Sequence, residues 1–217
     1  MIRLVGRVVA GALFDVDVDG SDLLPTGPAI VAGAPHRNWV EPFLLLGLLP
    51  RRPAWIAERR AVSGSRLRRA AARVAGGVIA VGRGGGGFDA VVAQVDGSVD
   101  AGRAIVIFPE SGPPSRPPDL RALSPGLAHL SARARVAVVP VVFGGTHELY
   151  LRRRLVVRVL PAIDPPESTS RPAILEWMAR FEEMVSTAVV EAHQVAESKS
   201  PKWKIGRWLT GKYPRVD

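Results

Sequence analysis

The chain has 217 residues, of which 47% are hydrophobic and 23% charged, and its formal net charge at pH 7 is +9. These proportions are typical of a globular domain and exclude a disordered, collagen-like or coiled-coil chain. The lack of cysteine excludes disulfides, thiolate metal sites and a cysteine nucleophile. No apolar run reaches the roughly 18 residues that a membrane-spanning helix needs.

Strands and helices alternate in the predicted chain order. Apolar runs and apolar–polar alternation predict strands at 14–20, 29–33, 54–57, 78–81, 104–108, 136–143 and 155–160. Helical periodicity predicts helices at 41–49, 63–74, 88–101, 127–134 and 172–196. This order favours an α/β or mixed α+β sandwich.

Three segments carry more specific expectations. Residues 109–125 are rich in proline and predict a long loop. Pro140 interrupts an apolar strand, and because proline is disfavoured in a central ladder, it predicts an edge, a bulge or a wall of the site. The apolar residues of 172–196 recur every three to four positions, which predicts one buried stripe packed on the sheet.

The excess positive charge lies in two segments, 51–73 with a net charge of +7 and 199–217 with +5. We divide the chain into a domain at 1–198 and a basic, aromatic tail at 199–217. Trp203 and Trp208 alternate with cations in this tail, a composition that suits a lipid interface. A solvated terminus accounts for the same pattern, so both interpretations stay open.

One histidine lies where a buried strand passes into a helix, in the segment Pro-His-Arg-Asn-Trp-Val-Glu from position 35 to 41. Binding sites of α/β proteins lie at the carboxyl ends of strands, where His36 is expected. Glu41, one helical turn further on, can hold one ring nitrogen and leave the other as a general base.

Polar residues follow two other buried strands. Arg83 leaves the strand at 78–81 and enters a glycine-rich turn, where its guanidinium can grip a phosphate. Glu110 stands in the segment Ile-Phe-Pro-Glu-Ser-Gly, at the carboxyl end of the strand at 104–108. Taken singly, a surface arginine and a loop acid explain these residues equally well.

Taken in order with the Val-Pro-Val strand around Pro140, these segments resemble the glycerolipid acyltransferase superfamily, whose type members are 1-acylglycerol-3-phosphate acyltransferases. The resemblance extends from about Gly20 to Glu197. Glu41 stands where aspartate is usual, and Ser111 replaces a glycine. The Thr-Arg pair that often follows this segment in the family is absent. Because the family holds the acceptor at the loop after Glu110, the identity of the acceptor stays open.

The resemblance implies a mixed sheet of about six to seven strands flanked by helices. It implies transfer of a fatty acyl group from a thioester to a hydroxyl of a lysophosphatidic acid-like lysophospholipid or related alcohol. His36 would be the general base and Glu41 its orienting acid. The residues expected to bind substrate are Arg83, Glu110, Ser111, Gly112 and Asn38.

Because the thioester of coenzyme A or acyl carrier protein is a substrate, the resemblance implies no cofactor, and we expect no metal site. It places the enzyme in phospholipid biosynthesis, as a cytoplasmic protein peripheral to the inner face of the membrane. An anionic membrane surface is the expected partner, and nucleic acid is not. Nothing in the sequence indicates the oligomeric state or the acyl-chain length.

Two other functions remain open. Gly82-x-Gly84-x-x-Gly87 matches the fingerprint of a dinucleotide-binding oxidoreductase between a strand and a helix, although it gives His36 no role. A non-catalytic basic module that binds lipid or nucleic acid explains the positive charge. It does not explain the four segments that carry the resemblance, those around His36, Arg83, Glu110 and Pro140. The remaining histidines are expected to be structural or exposed: His129, His147 and His193.

Overall fold

The computed structural model describes residues 11–58, 76–82, 87–111, 115–203 and 205–210. Its strands are β1 (Asp15–Asp19), β2 (Ile30–Ala34), β3 (Ala54–Glu58), β4 (Val78–Val81), β5 (Ile105–Ile107), β6 (Glu110–Ser111), β7 (Ala122–Leu123), β8 (Val138–Gly144) and β9 (Arg154–Val159). Its helices are α1 (Val40–Leu48), α2 (Gly87–Asp100), α3 (Gly126–Ala134) and α4 (Arg171–Lys199). Short 3-10 turns occur at Ser21–Leu23 and Arg207–Thr210. The helix predicted at 63–74, Arg83 and Gly112 lie outside the described residues.

Seven strands form one mixed sheet in the order β1-β9-β8-β2-β5-β3-β4. The strand pairs are parallel except for β8 and β9, which run antiparallel. Every residue of β2 is buried, as expected for an apolar strand covered on both faces. The predicted α/β class and the six to seven strands are confirmed.

Helices and loops bury the two faces of this sheet in separate cores. The first core packs α2, α3 and α4 against one face, with Trp177 and Phe181 of α4 fully buried. The second core covers the opposite face with α1 and with loop residues such as Phe14 and Leu149. The fold therefore has three layers, and α1 continues directly from the carboxyl end of β2.

The long helix α4 packs along β8 and β9 through the buried stripe that its sequence predicts. At the end of β8 it comes so close that a β-carbon added to Gly144 would overlap the carbonyl of Ala192. Only a residue without a side chain permits this approach. The contact sets the carboxyl half of α4 against the loop that follows β8.

Pro140 lies inside the sheet, since β8 has β2 on one side and β9 on the other. Of the three predicted alternatives, an edge strand is therefore wrong. The Pro140 carbonyl accepts a hydrogen bond from Leu160 N at 2.9 Å. Because the N–H and C=O of one residue face the same neighbour in a strand, the N–H that proline lacks would also face the β9 side. Regular β8–β9 pairing begins one residue later, at Val141, and the missing donor costs the sheet no regular ladder bond.

The proline-rich segment contains regular structure, contrary to the loop predicted at 109–125. Strands β6 and β7 pair antiparallel, with Glu110 opposite Leu123 and Ser111 opposite Ala122. A backbone hydrogen bond of 2.8 Å from Ser124 N to Pro109 O closes the base of this hairpin. Pairs of two residues are too short to give a periodic signal in the sequence.

Candidate active site

His36 lies just after β2, at the carboxyl edge of the sheet, in the turn that leads into α1. Its ring stacks on Phe108, the residue after β5, with 4.2 Å between ring centroids and 24° between ring planes. The side chain is 29% exposed. The imidazole is therefore held by an apolar surface and still open to solvent on one side.

Glu41 orients this imidazole from the first turn of α1. Its Oε2 lies 3.2 Å from His36 Nδ1, and the carboxylate also accepts hydrogen bonds from the backbone N–H groups of Arg37 and Asn38 at 2.8–3.0 Å. This resembles a capping box, in which an acid reaches back to the N–H groups that precede a helix. Glu41 is fully buried, and a carboxylate so placed favours the tautomer that carries its proton on Nδ1.

Glu110 and Arg121 hold the main chain on both sides of the histidine. Glu110 Oε2 accepts a hydrogen bond of 2.8 Å from His36 N, and Arg121 donates one of 2.6 Å to His36 O. The two side chains pair with each other at 3.4 Å. Because Glu110 also accepts from Arg121 N at 3.1 Å and its side chain is only 1% exposed, protein donors occupy both of its oxygens.

Arg37 ties the same turn to the hairpin loop. Its guanidinium donates to Ser115 O at 2.6 Å, to Ser115 Oγ at 2.9 Å and to the carbonyl of Asp119. Burial lowers the pKa of Arg37 and nearby Arg121 adds to this, while the carboxylates of Glu110 and Glu41 oppose the shift. Even so, a guanidinium stays charged at neutral pH.

Asn38 and Trp39 attach the carboxyl-terminal segment to the histidine turn. Asn38 is fully buried, and it donates from Nδ2 to Thr210 O at 3.1 Å while its Oδ1 accepts from Trp39 N. Trp39 Nε1 donates to Leu209 O at 2.9 Å. Residues 205–210 of the predicted tail thus pack beside the site.

The structure brings together His36, Glu41, Asn38 and Glu110 from the residues that the sequence singled out. Ser111 lies in the hairpin, exposed, with its Oγ bonded to Ala122 O at 3.1 Å. Sequence reasoning missed three residues of the site, whose roles depend on contacts between distant segments: Arg37, Phe108 and Arg121.

An apolar cleft of about 440 Å³ opens at the same edge of the sheet, on the face that α2 and α3 cover. Residues near the ends of β3, β4 and β5 line it together with the helices, among them Ile56, Val81, Ile107, Val91 and Leu130. Its size and lining are those of a site for an apolar ligand.

The site is of a class suited to general-base chemistry: a histidine–acid pair at the carboxyl end of a central strand in an α/β sandwich. The family model described as Acyltransferase matches residues 15–144, more than half of the chain. The chain belongs to this acyltransferase family.

A solved structure shares the fold, the crystal structure of the 1-acyl-sn-glycerophosphate (LPA) acyltransferase PlsC from Thermotoga maritima. The TM-score is 0.65 and the identity 22%, over 88% of this chain and 78% of that chain. Among curated proteins nothing matches. In the described part of the chain, no helix is both long and apolar enough to span a bilayer.

Proposed function

We propose that this acyltransferase moves a fatty acyl group from an acyl thioester to the hydroxyl of a lysophospholipid or a related alcohol. The observation that carries the proposal is the His36–Glu41 pair at 3.2 Å, at the carboxyl end of β2, on a turn fixed by Glu110 and Arg121. The likeness to an LPA acyltransferase supports a lipid acceptor.

In the proposed step, His36 Nε2 takes the proton of the acceptor hydroxyl while the oxygen attacks the thioester carbonyl. Glu41 holds Nδ1–H and stabilises the imidazolium that forms. The tetrahedral intermediate then expels the thiolate, which receives the proton back from Nε2, and the products are an ester and a thiol. General-base assistance of this kind accelerates a reaction by about two to four orders of magnitude.

The remaining residues of the site position the histidine and the acceptor. Glu110 and Arg121 act on the backbone of His36, so we assign Glu110 a positioning role. Arg83 stays our candidate for gripping the acceptor's phosphate, as its place in the sequence implies. Coenzyme A and acyl carrier protein are both suitable thioester carriers, because the carrier leaves as a thiol in either case.

The apolar cleft is our candidate for the acyl chain, since it lies at the same sheet edge as His36 and is lined by aliphatic side chains. Val81→Trp would fill part of it. We expect this variant to lose activity toward long acyl thioesters and keep it toward short ones, whereas Leu175→Trp, on the exposed face of α4, leaves chain-length preference unchanged. Equal loss for all chain lengths would argue against this assignment.

A membrane contact beside the site is part of the proposal. Trp208 is 80% exposed and Ile205 is 64% exposed, and the segment that carries them is bonded to the histidine turn through Trp39. Phe43, 54% exposed, stacks edge-on against Trp39 with 5.7 Å between ring centroids. Exposed aromatic and aliphatic groups next to cations suit the headgroup region of a bilayer.

The decisive test of function is turnover by His36→Ala with a labelled acyl thioester and a panel of lysolipids and other alcohols. We expect loss of at least a hundredfold in kcat with an unchanged fold, and Glu176→Gln, at an exposed position of α4, as a control with wild-type turnover. A His36→Ala enzyme that keeps most of its activity would refute the proposed base.

Vesicle flotation tests the membrane contact independently of chemistry. Trp208→Ser should reduce binding to anionic vesicles, while Leu175→Ser, which removes an exposed apolar side chain from α4, should not. Equal flotation of the two variants would place the membrane contact elsewhere.

The dinucleotide alternative receives no support from the topology. In a dinucleotide-binding half the strand before the glycine fingerprint lies in the middle of the sheet. Here β4, which precedes Gly82, is the last strand of the described sheet.

A further inference from the structure

Three side chains that can bind a metal converge on the far side of the histidine turn. His147 follows β8, and His193 and Glu197 stand four residues apart on one face of α4. One ligand atom from each lies within 4.8 Å of the others. His147 Nε2 is 3.8 Å from Glu197 Oε1, and the two imidazole centroids are 5.4 Å apart.

The glycine pair at the end of β8 creates this cluster. Gly144 lets α4 approach the strand, and Gly145 turns the chain with a φ of +81°. A β-carbon at Gly145 would overlap the carbonyl of Arg154 and crowd the side chain of Ala196, at 3.0 Å. The chain that leaves the strand therefore runs directly under α4, which places His147 beside His193.

A buried hydroxyl gives a second, independent sign of a ligand. Thr146 is 1% exposed, and its Oγ1 has no hydrogen-bond partner among the described residues. Thr146, His147 and His193 line one partly open cleft, and Glu197 lies outside its lining. The cleft has space for about one water molecule. Leaving a buried hydroxyl unsatisfied is unfavourable, and a bound ion or its water would satisfy it.

The charges around the cleft come from Arg153, Arg37, Glu148 and Glu197. Burial, with help from Arg153, lowers the pKa of His147 to about 4, and burial also lowers that of His193. A lowered pKa favours the neutral imidazole, whose lone pair metal ligation requires.

Arg153 pairs with Glu197 and is itself 2% exposed. The Glu197 oxygen nearest His147, Oε1, is also the one that accepts from this guanidinium, so an ion would share Oε1 with Arg153 or bind the second oxygen of the carboxylate. Outer-shell partners of this kind orient ligating carboxylates. The guanidinium also repels a cation, so we expect micromolar rather than nanomolar affinity.

We infer that His147, His193 and Glu197 form a binding site for a divalent transition-metal ion such as Zn²⁺. Two imidazoles and one carboxylate are a ligand set that Zn²⁺ takes in proteins, with a water or hydroxyl completing it. An anion of phosphate size would meet the Glu197 carboxylate and exceed the space. The ion would clamp α4 to the end of β8, next to Arg37 of the histidine turn.

Metal titration of the full chain tests this inference without reference to acyl transfer. Protein freed of metal with EDTA, and then of EDTA, is titrated with Zn²⁺ against a chromophoric chelator and with Co²⁺ by visible absorption. We expect one equivalent to bind, and a weakening of at least about tenfold in His193→Ala and in His147→Ala. His129→Ala is the matched control, because that ring contacts Phe88 of α2, and it should bind like the wild type.

Thermal unfolding supplies the second readout. At about a hundred times its Kd, Zn²⁺ should raise the Tm of the wild type and of His129→Ala by about 5–11 °C. The Tm of His193→Ala should not change, and since this ring is half-buried rather than buried, the variant is expected to fold. Wild-type affinity in both histidine variants, or no binding by the wild type below about 1 mM, would overturn the site.

Discussion

Replacing Glu41 with glutamine separates the two functions that this carboxylate performs. An amide of nearly the same shape can still accept hydrogen bonds from the N–H groups of Arg37 and Asn38 through its oxygen. Its nitrogen is a donor only, and it would then face His36 Nδ1, where the carboxylate oxygen now lies at 3.2 Å. The ring would be pushed toward the tautomer with its proton on Nε2, which cannot accept a proton from the acceptor hydroxyl.

The size of the effect follows from these contacts. Loss of the correct tautomer removes general-base assistance, so kcat should fall by about 10²–10⁴ while KM for either substrate changes little. The free energy of unfolding should fall by about 1–3 kcal/mol, since the backbone bonds lose an ionised acceptor. Glu41→Ala should cost more, about 3–5 kcal/mol, because it leaves two N–H groups without their acceptor in a buried cavity.

Steady-state kinetics, urea unfolding and ¹⁵N spectra of the histidine ring measure the three consequences separately. The spectra should show the ring proton on Nδ1 in the wild type and on Nε2 in Glu41→Gln. Glu176→Gln, at an exposed position of α4, is the matched control and should leave all three unchanged. A Glu41→Gln enzyme with a kcat within threefold of the wild type would show that the carboxylate does not orient the base.

Three further substitutions test the packing around the site. Gly144→Ala should lower the free energy of unfolding, measured in urea, by about 1–3 kcal/mol, because its methyl would overlap a carbonyl of α4. The control Gly97→Ala has open space around it and should be neutral or stabilising. Equal effects of the two substitutions would contradict the close approach of α4 to β8. Phe108→Leu should lower kcat about two- to tenfold through loss of the stack on His36, and an unchanged kcat would show that the stack does not position the ring. Arg121→Ala should lower kcat at least tenfold, and Arg121→Lys should recover part of that loss. An Arg121→Ala enzyme with a lower Tm but an unchanged kcat would show that this arginine has only a structural role.

Local pattern was sufficient for most of the fold. In a layered α/β protein, the run of small and aliphatic residues at 29–33 fits only a buried strand. The spacing of apolar residues in α4 fits only a helix packed on the sheet. Both elements were predicted within a few positions. Pro140 shows where local rules fail. Its interior position is acceptable only because the β8–β9 ladder starts one residue later, and that register depends on a strand that follows in the chain.

The site divides in the same way. His36 and Glu41 are close in sequence, and helical geometry alone brings a side chain one turn into a helix back to the turn before it. Arg121 reaches His36 only because a hairpin of two residues per strand turns it back, and no periodicity announces so short an element. The pairing of His147 with His193 requires a glycine at 144 and a helix that returns across the sheet, so separate histidines in the sequence gave no sign of a cluster.

The turn that carries His36 is held by Glu41 from within the turn and also by parts of the chain far from it in sequence. Glu110 and Arg121 hold its backbone from the hairpin, and residues 209–210 bond to Asn38 and Trp39 from the carboxyl-terminal segment. The segment that presents Trp208 outward is thus the segment that braces the catalytic turn. Insertion of Trp208 into a bilayer would restrain the carboxyl-terminal segment and the His36 turn at once. Vesicles should therefore raise the kcat of the wild type, even with a water-soluble acceptor, and leave the kcat of Trp208→Ser unchanged.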